Sequence, residues 1–384
     1  MRIAFALLMV AHASIHLMGF ARAFELAPLA QLQVPISRPV GVLWLAAAVL
    51  LLTAVAFIFL APRWFWLIGL ISLVVSQTAL ITSWSDARYG TLPNFILLAA
   101  AIYGAYAWGP LGIRADYEQL ARDGLARAAR AAQVPTISEA DLAPLPPLVQ
   151  RYLRFVGVVG TPRIQGFHAQ MTGRIRSSAT APWMPFVAEQ YSFFDPPRRY
   201  FWMKATRSGL PLDGLHAYGE TDASMRIRLF SLLPVVTLSG PEMMRPETVT
   251  LLDDMCILAP GRLIDPAIQW RTLDAHRVEA TYTNGPHTIV AVLVFDDTGA
   301  LVNFWSDDRP ALAEDGKTQL PGRWSTPILN YRTRGPYHIA SRGEGRYATA
   351  DGEYAYIELN GIRVNTTLPP AEALDELSPS AEND

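Results

Sequence analysis

Four long apolar runs in the N-terminal part constrain the fold of this chain more than any other feature. They cover roughly residues 3–20, 40–60, 64–83 and 94–109. A helix of about 20 mostly apolar residues is long enough to cross the hydrocarbon core of a bilayer. Only 17% of the residues are charged, whereas soluble domains carry about 25%. We therefore predict a transmembrane four-helix domain over residues 1–110.

The first apolar run allows a second interpretation. Arg2, the apolar stretch after it and the small residues Ala11 and Ala13 resemble a signal peptide with its cleavage site. The apolar character continues as far as Phe20 without a polar segment before the site. We favour a retained membrane helix, and cleavage after Ala13 stays the alternative.

Two histidines in this run are candidate metal ligands. His12 and His16 are four residues apart, so they share one face of a helix. Ionisable groups inside a bilayer often belong to metal, haem or proton-relay sites. The alternative is that they form hydrogen bonds inside the bundle, for example to Ser76 or Gln77. No further histidine lies within residues 1–110, so a complete metal site is not predicted.

Residues 111–160 have the pattern of a helical linker next to the membrane. Residues 114–134 are charged and rich in alanine, with acidic residues early and arginines late, as the helix dipole favours. Pro135 ends this helix, and Pro146 and Pro147 open a short second one. We predict a juxtamembrane helical linker here.

From residue 161 the sequence takes on the alternating pattern of β-strands. Residues 268–305 read as an antiparallel meander of three strands, with turns around Gly285 and Gly299. Residues 241–260 interrupt the strands, and prolines at both ends indicate a helical insert. We predict an α+β fold, in which residues 161–368 form an antiparallel sheet that curls around an apolar interior.

Composition narrows the possible functions. The net charge of −2 argues against a nucleic-acid-binding protein, and residues 369–384 form an acidic tail that we expect to be disordered. Cys256 is the sole cysteine, so neither an internal disulfide nor a cysteine-based metal site is possible. We predict no cofactor, and we expect membrane lipids as partners. A membrane-protein partner is an open alternative.

The β domain is rich in aromatic residues, which would line an apolar cavity if the sheet stays open. This favours a membrane-anchored module that binds a lipid or another apolar ligand. The residues that we expect to line the cavity are Phe193, Tyr200, Trp202, Trp270, Val292 and Phe304.

A hydrolase or metal enzyme is the second hypothesis. Strand geometry would place His216 and Glu220 on one face, with Asp222 near the turn, as a candidate catalytic group.

A third hypothesis makes the domain a docking surface for a membrane partner. We expect the other charged residues of the domain to lie on the solvated surface. The arginines among them could also bind lipid phosphates. These charged residues are Arg198, Arg199, Arg226, Arg228, Asp253, Asp254, Asp307 and Asp308.

Several segments resemble an uncharacterised family of bacterial membrane proteins. They are AHASIHLMGF at residue 11, LPPLVQRYLRFVG at residue 145, PWMPF at residue 182 and the long segment from Gly335 to Asn365. Members of that family carry a few transmembrane helices before a domain of unknown function. The resemblance supplies no established catalytic residues.

A second resemblance, in the pattern of elements rather than in motifs, covers residues 160–365. The order of strands, a helix near Leu251–Asp254, a strand with Trp270, the turn at 295–299 and Arg309 is similar to lipoprotein-carrier domains of the Lol type. Those domains are half-open β-barrels with a helical lid over an apolar cavity, and the resemblance implies the same architecture here.

The arginines predict which side of the membrane the β domain occupies. With four spans, the N-terminus and the β domain share a side, and arginine is enriched on the cytoplasmic side. That shared side would hold Arg2, Arg63, Arg114, Arg122, Arg127 and Arg130, and the other side Arg22, Arg38 and Arg88. We predict a multi-pass protein of the bacterial inner membrane with a cytoplasmic β domain, whereas the carrier resemblance implies the periplasm.

Overall fold

Two units make up the structure, a computed structural model that describes residues 2–29, 32–130, 134–312, 318–350, 352–371 and 374. The first unit extends to Asp116 and includes Phe230–Leu232. The second contains Tyr117–Leu229 and the chain from Leu233 onward.

The first unit is helical. Its helices are α1 (Arg2–Ala23), α2 (Arg38–Leu60), α3 (Pro62–Thr82), α4 (Trp84–Ala87) and α5 (Thr91–Ala107). By length and composition, four segments could cross a membrane, namely α1, α2, α3 and the continuous run Trp84–Ala107. The prediction of four apolar helices is confirmed.

Small and ring-constrained residues determine how these helices meet. Pro62 begins α3 directly after Ala61, because proline lacks the amide that would continue α2. Gly19 lies so close to Trp44 that an added Cβ would stand 2.1 Å from the indole ring. Glycine at this position therefore allows α1 and α2 to pack tightly, as small residues do in membrane bundles.

The second unit contains the remaining helices and the strands. After α6 (Ile113–Ala128), which begins in the first unit, come α7 (Glu139–Leu142), α8 (Pro147–Phe155) and α9 (Met244–Ile257). The first strands are β1 (Gly166–Ile175), β2 (Met184–Phe194), β3 (Pro197–Arg207), β4 (Leu210–Tyr218), β5 (Ala223–Leu229) and β6 (Leu233–Gly240). After α9 follow β7 (Ile268–Thr272), β8 (Arg277–Asn284), β9 (His287–Phe295), β10 (Leu301–Ser306), β11 (Ala311–Leu312), β12 (Gln319–Leu320), β13 (Arg323–Ser325), β14 (Ile328–Arg334), β15 (Tyr337–Thr349) and β16 (Gly352–Asn365).

All of these strands except β11 and β12 form one large antiparallel sheet with the order β6-β5-β4-β3-β2-β1-β16-β15-β13-β10-β9-β8-β7, and β14 pairs with β15. β11 and β12 pair with each other in a separate two-stranded sheet. The end strands β6 and β7 are not neighbours, so the sheet is not closed. It nevertheless curls, because Asn284 on β8 donates a 2.5 Å hydrogen bond to the Tyr218 hydroxyl on β4, near the other edge. The predicted α+β class, with a large antiparallel sheet and a helical insert, is confirmed.

The predicted meander corresponds to β8, β9 and β10, and β7 adds a further strand in front of it. Gly285 has φ +56°, the left-handed conformation that its turn requires.

Helices cover both faces of the sheet. We call the side that packs against α9 the inner face and the opposite side the outer face. On the outer face, Tyr117 of α6 lies near Tyr191 and Trp202, with ring centroids 6.2 and 6.4 Å apart. Gly124 of α6 leaves room for the Phe193 ring, which an added Cβ would approach to 2.1 Å. The outer face of β2 and β3 is therefore a second packed layer.

Candidate ligand-binding site

The inner face of the sheet is apolar along β8 and β9. Strand β9 illustrates how it forms, because Ile289, Ala291, Leu293 and Phe295 alternate along the chain and all belong to one buried core. Each of these four residues is at most 2% exposed. Alternation places every second residue of a strand on the same face.

Helix α9 occupies the concave side of this surface. Val249, Leu251, Leu252 and Cys256 are all completely buried, so the helix is enclosed on more than one side. A helix enclosed in this way normally carries apolar residues all round. This one also carries acidic side chains, which pair with residues of the sheet.

The strongest of these contacts involves Arg199 on β3. Its Nε donates a 2.7 Å hydrogen bond to Asp254 Oδ2, and its Nη1 lies 3.5 Å from Glu247 Oε2. Gln190 Nε2 on β2 also donates to Asp254, at 2.7 Å. Acidic residues seven positions apart on one face of α9 thus share a single arginine.

A second arginine, which is half-buried, contacts the middle of the helix. Arg309 donates from Nε to Thr250 Oγ1 at 2.9 Å and also donates to the Tyr347 hydroxyl. Its guanidinium lies 4.4 Å from the centre of the Trp324 ring, a cation–π geometry. The contacts of Arg199 and Gln190 with acidic residues of α9, together with the contact of Arg309 with Thr250, fix the register of α9 on the sheet.

Burial changes the protonation of this cluster. Burial raises the pKa of the Asp253 carboxyl well above its usual range, and Thr326 Oγ1 donates a 2.6 Å hydrogen bond to it. Burial also raises the pKa of Asp254, although Arg199 opposes this rise. The neighbouring Asp253–Asp254 pair was expected on the surface, and that prediction is wrong because α9 lies inside the curled sheet.

His216 on β4 joins the same cluster. Its Nδ1 lies 3.6 Å from Glu247 Oε1. Burial lowers the pKa of His216, Glu247 opposes this, and Arg199 and Arg309 add to it. Burial disfavours ionisation of Glu247, but His216, Arg199 and Arg309 outweigh it and lower its pKa. At neutral pH the arrangement therefore holds a neutral imidazole beside an ionised carboxylate.

The residues expected to line a cavity are divided between the two faces. Phe304 is completely buried in the inner core, and Trp270 packs against that core from β7. Phe193, Tyr200 and Trp202 belong to the outer face, where α6 covers them. Val292 alternates with Ala291 and Leu293 and also points outward. The six side chains therefore do not surround one cavity, and ligand binding by any of them stays a prediction.

The candidate catalytic group is not assembled. His216 faces α9, whereas Glu220 pairs with Arg198 and borders, together with Asp222, an open groove on the outer face. Within the described part of the chain, no three histidine, cysteine or acidic side chains lie close enough to hold a metal ion. The geometry gives the hydrolase or metal-enzyme hypothesis no support.

The two histidines of α1 form hydrogen bonds inside the helical unit. His12 Nε2 lies 3.0 Å from Asn94 Oδ1, and His16 Nε2 lies 2.8 Å from Ser76 Oγ. Ser76 in turn donates to Asn94 Oδ1 at 3.0 Å. Asn94 Oδ1 can only accept, so His12 donates to it from Nε2. Since the Ser76 proton goes to Asn94, His16 donates from Nε2 to the Ser76 hydroxyl. This matches the hydrogen-bonding interpretation of the sequence, in which Ser76 was a predicted partner.

The fold and the interior together define the class of protein. It has four apolar N-terminal helices and an open antiparallel β domain, and polar contacts hold a helix inside that domain. The chain belongs to the family of unknown function DUF6544, whose model matches residues 135–359. This confirms the predicted membership in an uncharacterised family. A comparison with curated proteins gives no match.

Solved structures similar to this chain include domains of the lipoprotein-carrier type. A domain assigned to outer membrane lipoprotein sorting from Vibrio parahaemolyticus has 9% identity and a TM-score of 0.32, with 55% of this chain and 89% of that chain covered. A LolA superfamily protein from Nitrosomonas europaea has 10% identity and a TM-score of 0.27, covering 61% and 96%. A DUF1329 family protein from Desulfovibrio piger has 14% identity and a TM-score of 0.33, covering 61% and 95%. The predicted likeness to Lol-type domains is confirmed at this level.

Proposed function

We propose that the protein is a membrane-anchored module that binds a lipid or another apolar ligand on the inner face of its half-open barrel. One observation carries the proposal: the broad apolar surface of an open sheet is covered by α8 and α9, and polar contacts with the sheet hold α9 in place. In this arrangement α9 is a lid in its closed position. The ligand replaces α9 on the apolar surface.

The nature of the contacts makes such a movement feasible. Arg199, Asp254 and Glu247 are charged groups that water can solvate once the helix leaves the sheet. Taking ions out of water opposes burial strongly, so a buried ion pair adds less net stability than its geometry suggests. An apolar ligand would then replace the contacts that Val249 and Leu252 make with the sheet.

The segments on both sides of α9 have features that are typical of hinges. Gly240, at the end of β6, has φ +138°, a conformation that only glycine adopts easily. Short 3-10 helices, Pro241–Met243 and Pro260–Ile264, flank α9 on both sides. Lid motions generally use a few such terminal residues as hinges.

Photo-crosslinking of the intact protein in nanodiscs tests the proposal. A phospholipid with a diazirine at the end of one acyl chain is incorporated and irradiated, and labelled peptides are identified by mass spectrometry. We expect label on inner-face positions of β9 and β10, near Leu293 and Phe304. Label confined to the apolar helices and to the outer-face residues Val292 and Trp202 would contradict the proposal.

We further propose that the four apolar helices insert into the bacterial inner membrane as a multi-pass anchor and that the β domain lies in the cytoplasm. The excess of arginine on the predicted cytoplasmic side supports this orientation. A lipid-binding domain held there would exchange molecules with the inner leaflet.

A further inference from the structure

A second candidate site lies on the outer face, away from α9. It is an open groove of about 520 Å³, bordered by strands β3, β4 and β5, by the β4–β5 turn and by Leu120 of α6. This volume lies in the range of pockets for small ligands. Leu120 and Ala217 form an apolar part of its wall, and the rest is polar.

The charges in the groove are balanced. Its wall contains Arg198 and Arg226 together with Glu220 and Asp222. Arg198 donates to Glu220, and its side chain is only 18% exposed. The Glu220 side chain is 50% exposed, so a ligand in the groove can reach this ion pair.

The balance of positive and negative side chains limits the kind of ligand that can bind in the groove. A simple anion would bind the arginines but would be repelled by Glu220 and Asp222. A simple cation would bind these carboxylates but would be repelled by the arginines. A zwitterion satisfies both pairs at once. Guanidinium groups bind phosphate oxygens through paired hydrogen bonds, and carboxylates accept hydrogen bonds from a primary ammonium group.

We propose that this groove binds a phosphate ester that carries a primary ammonium group, with the phosphate on Arg198 and Arg226 and the ammonium on Glu220 and Asp222. Two sources share this chemistry, namely the head group of an aminoethanol phospholipid and a soluble aminoethanol phosphate ester. The site is distinct from the proposed site under α9 and does not depend on movement of that helix.

Native mass spectrometry of the full chain in detergent tests this site. Short-chain phosphatidylethanolamine, phosphatidylglycerol and phosphatidylcholine, each with two octanoyl chains, are titrated in parallel. We expect phosphatidylethanolamine to bind at least about tenfold more tightly than the other two. Phosphatidylglycerol lacks the cation, and the quaternary ammonium of phosphatidylcholine has no N–H to donate. A fourth titration with soluble glycerophosphoethanolamine separates the two sources, since equal affinity would identify the head group alone as the ligand.

Variants connect the preference to the groove. Arg198→Gln and Asp222→Asn should each reduce affinity for phosphatidylethanolamine at least about tenfold and remove the preference. Arg271→Gln is the matched control, because Arg271 also pairs with a glutamate on a strand surface, at 68% exposure, but lies outside the groove. Unfolding temperatures of all variants are compared to exclude misfolding. Equal affinity for the three lipids, or unchanged affinity in Arg198→Gln, would overturn the proposal.

Discussion

Arg199 on strand β3 and Asp254 on helix α9 form a buried ion pair, with 2.7 Å between Nε and Oδ2 and side chains only 8% and 10% exposed. The pair joins α9 to the sheet in the interior of the β domain. The stability of the domain and the position of α9 are therefore linked through a small number of polar side chains, and changes to these residues test the account.

Replacing Arg199 with methionine should destabilise the β domain strongly. Asp254 and Glu247 would stay buried without their cation, and breaking a buried pair in this way costs about 3–5 kcal/mol. For a domain of this size we expect the unfolding temperature to fall by roughly 6–20 °C, at about 2–4 °C for each kcal/mol. Thermal unfolding of the purified full chain measures the shift.

The matched control for this change is Arg271→Met. Arg271 pairs with Glu279 at 2.6 Å, but its side chain is 68% exposed. Exposed pairs contribute about 0–1 kcal/mol because water solvates both partners. Equal shifts for the two variants would show that the Arg199–Asp254 pair does not hold α9 in place.

Acid should destabilise the domain partly through His216. Its pKa is lowered in the folded protein, chiefly by burial, so the unfolded chain binds the proton more readily. Stability from the neutral imidazole is present above pH 6.5 and is lost as the pH falls from that value towards the folded pKa. We expect a smaller drop in unfolding temperature between pH 7.5 and 5.5 for His216→Gln than for the unchanged protein.

Comparison of the pH profiles of the unchanged protein and of His216→Gln isolates the contribution of His216 to stability. Burial raises the pKa of Asp253 and of Asp254, which favours folding at low pH and so has the opposite sign. These carboxyls are present in both proteins, and their effects cancel in the difference. Identical pH profiles would contradict the assigned role of His216.

The hydrogen-bond network of the helical unit should depend on Ser76. Its hydroxyl contacts His12, His16 and Asn94. Ser76→Ala should lower the stability of the bundle by about 0.5–2 kcal/mol, the range of hydrogen bonds between membrane helices. Unfolding of the protein by sodium dodecyl sulfate in mixed micelles measures this difference.

Ser72 provides the control on the same helix. It is as completely buried as Ser76, but its hydroxyl donates to the carbonyl of Ile68 within α3. Ser72→Ala should therefore have a smaller effect. Equal effects of the two changes would mean that the contacts between helices contribute nothing measurable.

A reporter fusion tests the predicted orientation. Alkaline phosphatase, which requires export for activity, is joined after Pro369, and a cytoplasmic reporter is joined at the same position in a parallel strain. We expect low phosphatase and high cytoplasmic reporter activity. The opposite result would place the β domain in the periplasm and would contradict the orientation inferred from the arginines.

Local patterns in the sequence predicted the main elements of the fold. The four apolar helices follow from run length, and β8, β9 and β10 follow from period-two alternation and from the glycine turns. Both are properties of short segments, so they need no knowledge of distant contacts. The helical insert was predicted by the same reasoning, whereas the half-open barrel was implied by the resemblance to Lol-type domains.

The site could not be predicted in the same way, because the covering of each strand face depends on distant elements. On β3, α6 covers Tyr200 and Trp202, while Arg199 turns inward to α9. Arg199 was expected on a solvated strand face, and that prediction is wrong because it is only 7% exposed. Acidic residues at 247 and 254 of a mostly apolar helix were a usable signal for a buried cation.

The most direct test of the central claim is to lock α9 onto the sheet. Asp253 and Thr326 lie side by side, with 2.6 Å between Oδ1 and Oγ1, so Asp253→Cys with Thr326→Cys in a Cys256→Ala background offers a disulfide there. The reduced and oxidised forms of this one protein are labelled in nanodiscs with the diazirine phospholipid, and the oxidised Cys256→Ala single variant controls for oxidation. The account predicts that the reduced form is labelled on inner-face positions of β9 and β10 and that oxidation lowers this label at least about tenfold. Equal labelling of the reduced and locked forms would contradict ligand binding beneath α9.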